Sequence, residues 1–257
     1  MTAPGWAPTG RAIGLAHRGF TTEGLENSMA AFAAAVELGF THVETDVHAT
    51  ADGVLMAFHD DTLDRVTDRE GRIADLPHAD VAAARIGGRE PIPTLEEVLH
   101  TWPDLHLNID VKADHAVGPT VEVIDRLGVH DRVCIASFDD RRRRAVLDGL
   151  SARVASSAGT ATVRAFLLGH LLPGSRLVRR ALTDVDLLQV PERAGRVRVV
   201  TPATVEAAHD AGVAVHVWTV NDRADMERLL DWGVDGIVSD RADVLRDVLA
   251  ERGHWPG

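Results

Sequence analysis

The chain has 257 residues, of which 45% are hydrophobic, with 27 lysine and arginine residues against 39 aspartate and glutamate residues. It can bury a full core, which excludes a disordered protein, and its net charge of -12 argues against nucleic acid and against stable association with an anionic membrane. With one cysteine, no apolar run long enough to span a bilayer and no secretory signal pattern, we expect a soluble cytoplasmic protein.

Short apolar runs, several of them preceded by a helix-ending glycine, predict eight strands. In chain order these are 13–16, 42–47, 106–111, 132–137, 153–156, 187–190, 213–217 and 236–238. Amphipathic stretches between most of them predict helices at 27–38, 94–100, 117–127, 201–211 and 223–232. This alternation predicts an α/β protein with a (β/α)8 TIM barrel, because an open doubly wound sheet would carry a glycine-rich phosphate loop that the sequence lacks.

One long segment between the second and third predicted strands departs from this repeat. It has a short apolar run, turn residues and three prolines, but no pattern of a single long helix. Long loops in barrels usually carry function. We therefore predict one domain over residues 1–257, with an insertion at about 49–93 that caps the mouth of the barrel and is too short and too polar to hold a core of its own.

A run of four arginines at 141–144 follows two aspartates. Such a run could bind an anion, but acidic residues directly before it are typical of a helix N-terminus. We therefore interpret it as a solvated helix face.

Carboxylates in two predicted strands form the strongest local pattern. Glu44 and Asp46 point to the same strand face, and burying two anions side by side is costly unless a cation lies between them. That cation could be a divalent metal or a barrel arginine. On the next strand Asn108, Asp110 and Lys112 share one face. Asp110 could supply a third oxygen ligand and Lys112 a fixed charge, or the two could form an ordinary salt bridge.

Two histidines bracket these carboxylates. His17 ends the first strand and His59 ends the apolar run of the insertion, both at points where the chain leaves the barrel. Imidazoles suit general acid and base catalysis, and Arg18 offers a planar fork for phosphate oxygens. No two histidines are spaced as in a His-x-His zinc site, so the residues favour an all-oxygen site for Mg²⁺ or Ca²⁺.

Taken together, ordered blocks along nearly the whole chain resemble those of the glycerophosphodiester phosphodiesterase family. The blocks are His17-Arg18-Gly19, Glu26-Asn27-Ser28, Glu44-Thr45-Asp46, His59-Asp60 with Thr62-Leu63-Asp64-Arg65, Ile92-Pro93-Thr94-Leu95-Glu96-Glu97, Asn108-Ile109-Asp110-Val111-Lys112, Ser137-Phe138-Asp139, Trp218-Thr219-Val220-Asn221 and Gly233-Val234-Asp235-Gly236-Ile237-Val238-Ser239-Asp240.

The resemblance implies a TIM barrel with the family insertion after the second strand, and it implies roles for eight side chains. A divalent metal, Mg²⁺ or Ca²⁺, would be bound by Glu44, Asp46 and Asp110. The acid and base would be His17 and His59. The remaining three positions match a phosphate-binding pair and an aromatic residue at the pocket rim, which are Arg18, Lys112 and Trp218.

The sequence departs from the family pattern at two positions. Asp110 stands where the family usually has glutamate, so either the metal shifts toward this strand or a water fills the gap, and we favour the water because Mg²⁺ releases its waters reluctantly. Leu25 replaces a common proline, which affects loop stiffness. The pair Glu26-Asn27 could set the loop after His17, the role that we prefer, or bind the metal directly.

The function implied is metal-dependent hydrolysis of glycerophosphodiesters, as small-molecule substrates, to glycerol 3-phosphate and an alcohol. The attacking group could be water or the neighbouring glycerol hydroxyl. A lysophospholipase D would need an apolar entrance, which the charged segment 62–89 does not suggest. A barrel that only binds a phosphorylated ligand is disfavoured by the two histidines. The leaving alcohol, the metal, the assignment of acid and base and the oligomeric state stay open.

Overall fold

The computed structural model describes residues 6, 10–172 and 176–255. Its strands are β1 (Ile13–His17), β2 (His42–Ala49), β3 (Leu55–Ala57), β4 (Arg85–Ile86), β5 (Glu90–Pro91), β6 (His106–Val111), β7 (Val133–Ala136), β8 (Ala155–Ser156), β9 (Leu187–Pro191), β10 (Arg193–Ala194), β11 (Val197–Arg198), β12 (Ala214–Trp218) and β13 (Gly236–Ser239). Its helices are α1 (Met29–Glu37), α2 (His78–Val81), α3 (Leu95–Thr101), α4 (Val117–Leu127), α5 (Asp140–Gly149), α6 (Thr160–His170), α7 (Arg176–Ala181), α8 (Pro202–His209), α9 (Arg223–Asp231) and α10 (Ala242–Glu251).

Eight parallel strands form the barrel in chain order: β1, β2, β6, β7, β8, β9, β12 and β13, with β13 pairing back onto β1. Between β8 and β9 the ring is completed by a bridge of Ser157 to Leu187. All eight predicted strands are present and helices lie between them, so the predicted (β/α)8 barrel is confirmed. The one-domain organisation of residues 1–257 stays a prediction. In the described part of the chain, no helix combines the length and the apolar character needed to cross a membrane.

The alternation of side chains along β2 separates the core from the site. Val43 and Val47 are buried in the main hydrophobic cluster against the helices, whereas Glu44 and Asp46 point into the barrel. Helices α1, α3, α5, α8 and α9 begin at side chains that cap free backbone N–H groups, as Ser28 does for Ala31 at the start of α1. The five predicted helices are present: α4 has the predicted bounds, α3 is shifted by one residue, and α1, α8 and α9 are shorter than predicted. The sequence pattern missed α2, α6, α7 and α10.

The insertion lies against β2 through the antiparallel strand β3 and also contains α2 and the β4–β5 hairpin. It encloses a hydrophobic cluster of its own, formed by buried Met56, Phe58, Leu63, Ile73, Val81, Ala84, Ile86 and Ile92. The expectation that this segment is too polar to hold a core is therefore wrong. Apart from Met56 and Phe58, which lie in the short apolar run, its apolar residues are spread over turns and short elements, so no periodic pattern marks them as a core in the sequence.

The arginine run begins helix α5, with Asp139 capping the N–H of Arg141 as predicted. The description of the whole run as a solvated face is wrong for Arg143, which is fully buried. Its guanidinium group donates to the Asp184 carboxylate at 2.9 Å and to the backbone oxygen of the same residue at 2.9 Å. Arg143 therefore ties α5 to the segment before β9.

Two arginines of α5 provide a matched stability test. Arg143→Ala should lower the free energy of unfolding by about 2 to 4 kcal/mol, because it leaves a cavity and removes buried ionic hydrogen bonds. Arg141→Ala, at a side chain that is 86% exposed, should change it by less than about 0.5 kcal/mol. Urea unfolding of both variants measures the difference, and equal midpoints would show that Arg143 makes no net contribution.

Candidate active site

Strand register brings the predicted site residues together at the carboxyl end of the barrel. His17 is level with Glu44, and Asp46 is level with Asp110. The two levels face the same interior, so these four predicted side chains lie around one opening. Arg18, directly after β1, joins them there. This opening, called the mouth below, is the end at which TIM barrels carry their active sites.

His17 is held by the carboxylate of Asp240, which directly follows the last barrel strand, β13. Its Nδ1 lies 2.6 Å from the Asp240 Oδ1, so the proton must be on Nδ1 for this hydrogen bond to form. Asn221 donates to the other Asp240 oxygen at 2.8 Å. Burial opposes charging of His17, but the bond to Asp240 and the nearby charge of Glu44 outweigh burial and raise its pKa. The His17 Nε2, 3.7 Å from Glu44 Oε2, faces the site.

His59, in the insertion, is held by a carboxylate in the same way. Its Nδ1 lies 2.6 Å from Asp60 Oδ1, and Arg65 donates to both oxygens of Asp60, at 2.6 and 3.0 Å. The hydrogen bonds from Arg65, and then from His59, lower the pKa of Asp60 to about 2 against the opposing effect of burial. Arg65 also donates to Glu26 at 2.7 Å. Asp60 is therefore a fixed anion that orients His59.

Asp46 is the centre of the ionic network. Its carboxylate lies 3.0 Å from Arg18 Nε and 2.7 Å from Lys112 Nζ, and it accepts from Asn27 Nδ2 at 3.2 Å. Burial opposes its ionisation, but Lys112 and Arg18 lower its pKa. The barrel-cation alternative is thus realised by Arg18 and Lys112 in this structure.

The segment after β1 reaches Asp46 through strained backbone. Arg18 and Asn27 both have positive φ, 54° and 57°, which non-glycine residues rarely adopt. Asn27 is buried and also accepts a hydrogen bond from Thr45, while Glu26 accepts from Arg18 at 2.9 Å. Glu26 and Asn27 therefore hold the loop, in agreement with the preferred structural role.

Lys112 lies between two carboxylates. In addition to its contact with Asp46, it donates to Asp110 Oδ2 at 2.6 Å. Burial opposes its charge, yet Asp110 and Asp46 raise its pKa, so Lys112 stays protonated. The salt bridge that was one of two interpretations of Lys112 is present, and it lies inside the cluster of predicted site residues.

Buried oxygens without hydrogen-bond partners test whether the residues suit a divalent cation. Among the described residues these include Glu44 Oε2, Asp110 Oδ1 and the side-chain oxygen of Asn108. Burial first, and then the charge of Asp46, raise the pKa of Glu44 well above its usual range. Burial likewise raises the pKa of Asp110. A hard cation would suit these carboxyl groups, because it would stabilise their ionised form and contact the oxygens that receive no hydrogen bond.

The carboxylates do not converge as a finished metal centre. No group of three or more His, Cys, Asp and Glu side chains within the described ranges is arranged to hold a metal ion. The reason is local, because Lys112 takes one oxygen of Asp46 and one of Asp110. The donor atoms therefore fit a divalent cation, and the three side chains would have to adjust around Lys112 to bind it.

Trp218 ends β12 at the rim of the mouth. Its ring packs edge-on against Phe138, with centroids 5.7 Å apart, and the Lys112 ammonium lies 5.7 Å from the Phe138 ring centroid. Phe138 is 57% exposed. Trp218 thus lies beside the charged cluster, as predicted, and Phe138 adds a second aromatic ring.

Three residues that orient the histidines have no role in the expectations drawn from the sequence, namely Asp60, Arg65 and Asp240. Asp60 has a local signal, since it directly follows His59. Asp240 has none in the sequence spacing, because 223 positions separate it from His17. Only the pairing of the last strand with the first brings them together.

Comparison with known proteins agrees with this geometry. Residues 17–244 match the model of the Glycerophosphoryl diester phosphodiesterase family. The chain belongs to this family. It is 48% identical over 260 residues to the "Probable glycerophosphodiester phosphodiesterase 2" of Mycobacterium tuberculosis, covering 98% of each chain. It is 30% identical to the glycerophosphodiester phosphodiesterase of Caldanaerobacter subterraneus subsp. tengcongensis, covering 95% of this chain and 100% of that one.

Solved structures of family members share the fold. An Oleispira antarctica phosphodiesterase, determined in complex with the product sn-glycerol-3-phosphate, superposes with a TM-score of 0.75 at 22% identity, covering 94% of this chain and 98% of that one. The predicted family and the predicted enzyme class, a phosphodiesterase, are confirmed by these comparisons. The individual roles of the site residues stay predictions.

Proposed function

We propose that the protein hydrolyses glycerophosphodiesters to glycerol 3-phosphate and an alcohol, with His17 and His59 as the acid and the base. The observation that carries the proposal is the matched pair of imidazoles, each with Nδ1 bonded to a carboxylate and both beside the same buried charged cluster. Membership of the phosphodiesterase family supports the substrate class. A cytoplasmic location stays a prediction from the sequence.

The two aspartates prepare the histidines for proton transfer. A carboxylate on Nδ1 fixes the ring and leaves Nε2 as the atom that exchanges a proton with the substrate. Because Asp60 remains ionised, it stabilises the positive charge that His59 carries after accepting a proton. The pKa of Asp240 is lowered by its bond to His17, so Asp240 would stabilise a positive charge on His17 in the same way.

A divalent cation, Mg²⁺ or Ca²⁺, would be held by Glu44, Asp46 and Asp110. When bound, it supplies positive charge to the phosphate and so stabilises the charge that develops on its oxygens. The unpartnered oxygens of Glu44 and Asp110 support this assignment. For Asp110 we keep the water-bridged contact as the expectation, because its side chain is shorter than the glutamate usual in the family and Mg²⁺ releases its waters reluctantly.

Arg18 and Lys112 would bind the phosphate itself. Both cations are directed at the mouth from the barrel interior, and both are neutralised by Asp46. A guanidinium group and an ammonium group would orient a phosphodiester so that its leaving ester oxygen lies toward one histidine, which protonates it, and the attacking hydroxyl lies toward the other. The nucleophile is water or the adjacent glycerol hydroxyl, and one histidine removes its proton in either case.

Phe138 favours a second candidate within the same chemistry. An exposed apolar ring beside Trp218 could contact an acyl chain, which a lysophospholipase D would have to accommodate. A glycerophosphodiester needs no such contact. We keep the lysophospholipase D as the alternative, because one ring does not form the apolar entrance that an acyl chain requires.

Product analysis tests the proposal. The protein should release glycerol 3-phosphate from glycerophosphocholine, glycerophosphoethanolamine or glycerophosphoinositol, and release should stop in EDTA and return when Mg²⁺ or Ca²⁺ is added. Lysophosphatidylcholine serves as the parallel substrate. Faster release of choline from the lysolipid would assign the alternative, and absence of turnover with all four substrates would leave only a binding barrel.

A further inference from the structure

A surface of leucines and arginines on α6, α7 and the connection between them has no part in the proposed reaction. Its leucines are among the most exposed large hydrophobic side chains of the described residues: Leu168 at 65%, Leu171 at 77%, Leu172 at 54% and Leu177 at 46%. Burial of such side chains gains free energy, so contiguous exposure on a folded domain marks a contact surface.

The same surface is locally basic in an acidic protein. Residues 160–182 contain Arg164, Arg176, Arg179 and Arg180 and no aspartate or glutamate, although the whole chain has a net charge of -12. All four arginines are exposed, and their guanidinium groups have no carboxylate partner within the described residues. We call these four arginines and the four leucines the leucine–arginine patch.

A groove next to the patch adds shape to this chemistry. It runs between α5, α6 and α7 with a volume of about 520 Å³. Arg144, Arg180 and the buried carboxylate of Asp140 contribute to its lining together with mostly apolar side chains. The apolar lining consists mainly of Ala161, Ala165, Leu168, Leu172, Leu177 and Ala181.

We propose that the leucine–arginine patch docks on the surface of an anionic lipid membrane. Exposed leucines next to unpaired arginines are what an interfacial surface requires, since the leucines enter the acyl boundary while the guanidinium groups contact lipid phosphates. The repulsion expected from the net charge acts at long range and is screened within about 8 Å at physiological salt, whereas the patch acts at contact.

A second copy of the chain fits this surface less well. A two-fold symmetric contact would place the four arginines of one copy against those of the other, where like charges repel. In a contact with a different surface, the patch would find no apolar counterpart. Among the described residues, only Phe138 at the mouth and Val197 on the β10–β11 hairpin are further exposed large hydrophobic side chains.

The position of the patch leaves the mouth open to solution. Helix α6 begins beside the mouth, where the Thr160 N–H donates to the Phe138 backbone oxygen at 2.9 Å. Its 11 residues span about 16 Å, so Leu171 lies near the opposite end of the barrel. Docking would therefore hold the protein at a membrane while the mouth faces the aqueous phase.

Vesicle sedimentation tests the proposal without using enzyme activity, so its failure and that of the proposed function are distinguishable. The full chain should bind vesicles in which about a third of the lipid is phosphatidylglycerol, and it should bind vesicles of phosphatidylcholine alone at least about tenfold more weakly. Binding should also weaken in about 1 M NaCl, where the Debye length is about 3 Å.

Two double variants locate the contact. Each removes one positive charge and replaces one exposed aliphatic side chain by serine. Leu171→Ser with Arg179→Gln should lower vesicle affinity about tenfold or more. Val197→Ser with Arg196→Gln, at exposed positions on the β10–β11 hairpin, should leave it unchanged. All four sites are exposed, so both variants should keep the wild-type circular dichroism spectrum.

The proposal is wrong if the wild-type chain does not bind acidic vesicles at low salt, or if the two double variants lose the same affinity. Analytical ultracentrifugation of the same proteins examines the other occupant. A dimer that the Leu171→Ser, Arg179→Gln variant loses, without vesicle binding by the wild type, would assign the patch to a second copy.

Discussion

Replacement of His17 or of His59 by alanine is expected to lower kcat for glycerophosphocholine by about 10²- to 10⁴-fold, the usual contribution of general acid or base catalysis. Each variant loses one imidazole that is bonded to a carboxylate and leaves its aspartate partner in place. Steady-state kinetics with the released glycerol 3-phosphate as product measures the loss. The thermal midpoint should change little, since both rings are partly exposed.

The leaving group separates the two roles. A p-nitrophenyl phosphodiester needs no proton on its leaving oxygen, so the variant that lacks the general acid should recover most of its rate with this substrate, and the variant that lacks the base should not. His100→Ala, at a side chain that is 63% exposed on α3, is the control and should keep full activity. Near-wild-type rates in both site variants would reject the histidines as acid and base.

Glu44→Gln should produce opposite effects on activity and on the metal-free fold. Loss of a metal ligand should lower activity more than about 100-fold and should abolish the rise in melting temperature that Mg²⁺ or Ca²⁺ gives the wild type. The metal-free variant should melt at the same temperature as the metal-free wild type or higher, because burial and the charge of Asp46 already oppose ionisation of Glu44, and glutamine is neutral at every pH. Calorimetric melting with EDTA and with added metal measures both effects.

Variants of Asp110 and Asp46 refine the metal assignment. With a water between Asp110 and the ion, Asp110→Ala should lower metal affinity less than Asp46→Ala, and Asp110→Glu should remain active. Equal losses of affinity in the two alanine variants would make Asp110 a direct ligand. Full activity of wild-type protein that holds no metal by elemental analysis would remove the cation from the proposal altogether.

The strand pattern was enough to predict the barrel and to bring the charged side chains of β2 and of the end of β6 to one mouth. This succeeded because alternation along β2 and β6 fixes which residues face inward, and parallel strands align their ends. Contacts that depend on ring closure or on side-chain reach were not predictable in this way. Asp240 bonds to His17 across the seam of the barrel, and Arg65 reaches Asp60 and Glu26 from the insertion.

The errors have related physical causes. The core of the insertion is assembled from single apolar residues in turns and short strands, so neither a period of two nor one of 3.6 marks it. Arg143 occurs within four identical residues, and only the packing of α5 distinguishes the buried one. The position of Lys112 between Asp46 and Asp110 follows from the register of two strands, which the sequence suggests without fixing distances.

The separate hydrophobic cluster of the insertion gives the two histidines different packing surroundings. His17 stands on a barrel strand, whereas His59 follows a strand whose Met56 packs in the smaller cluster. Local opening of a small unit costs less free energy than global unfolding. We therefore expect mild heat or denaturant to disturb the surroundings of His59 before those of His17 and the barrel carboxylates, so that activity would report on the insertion and spectroscopy on the barrel.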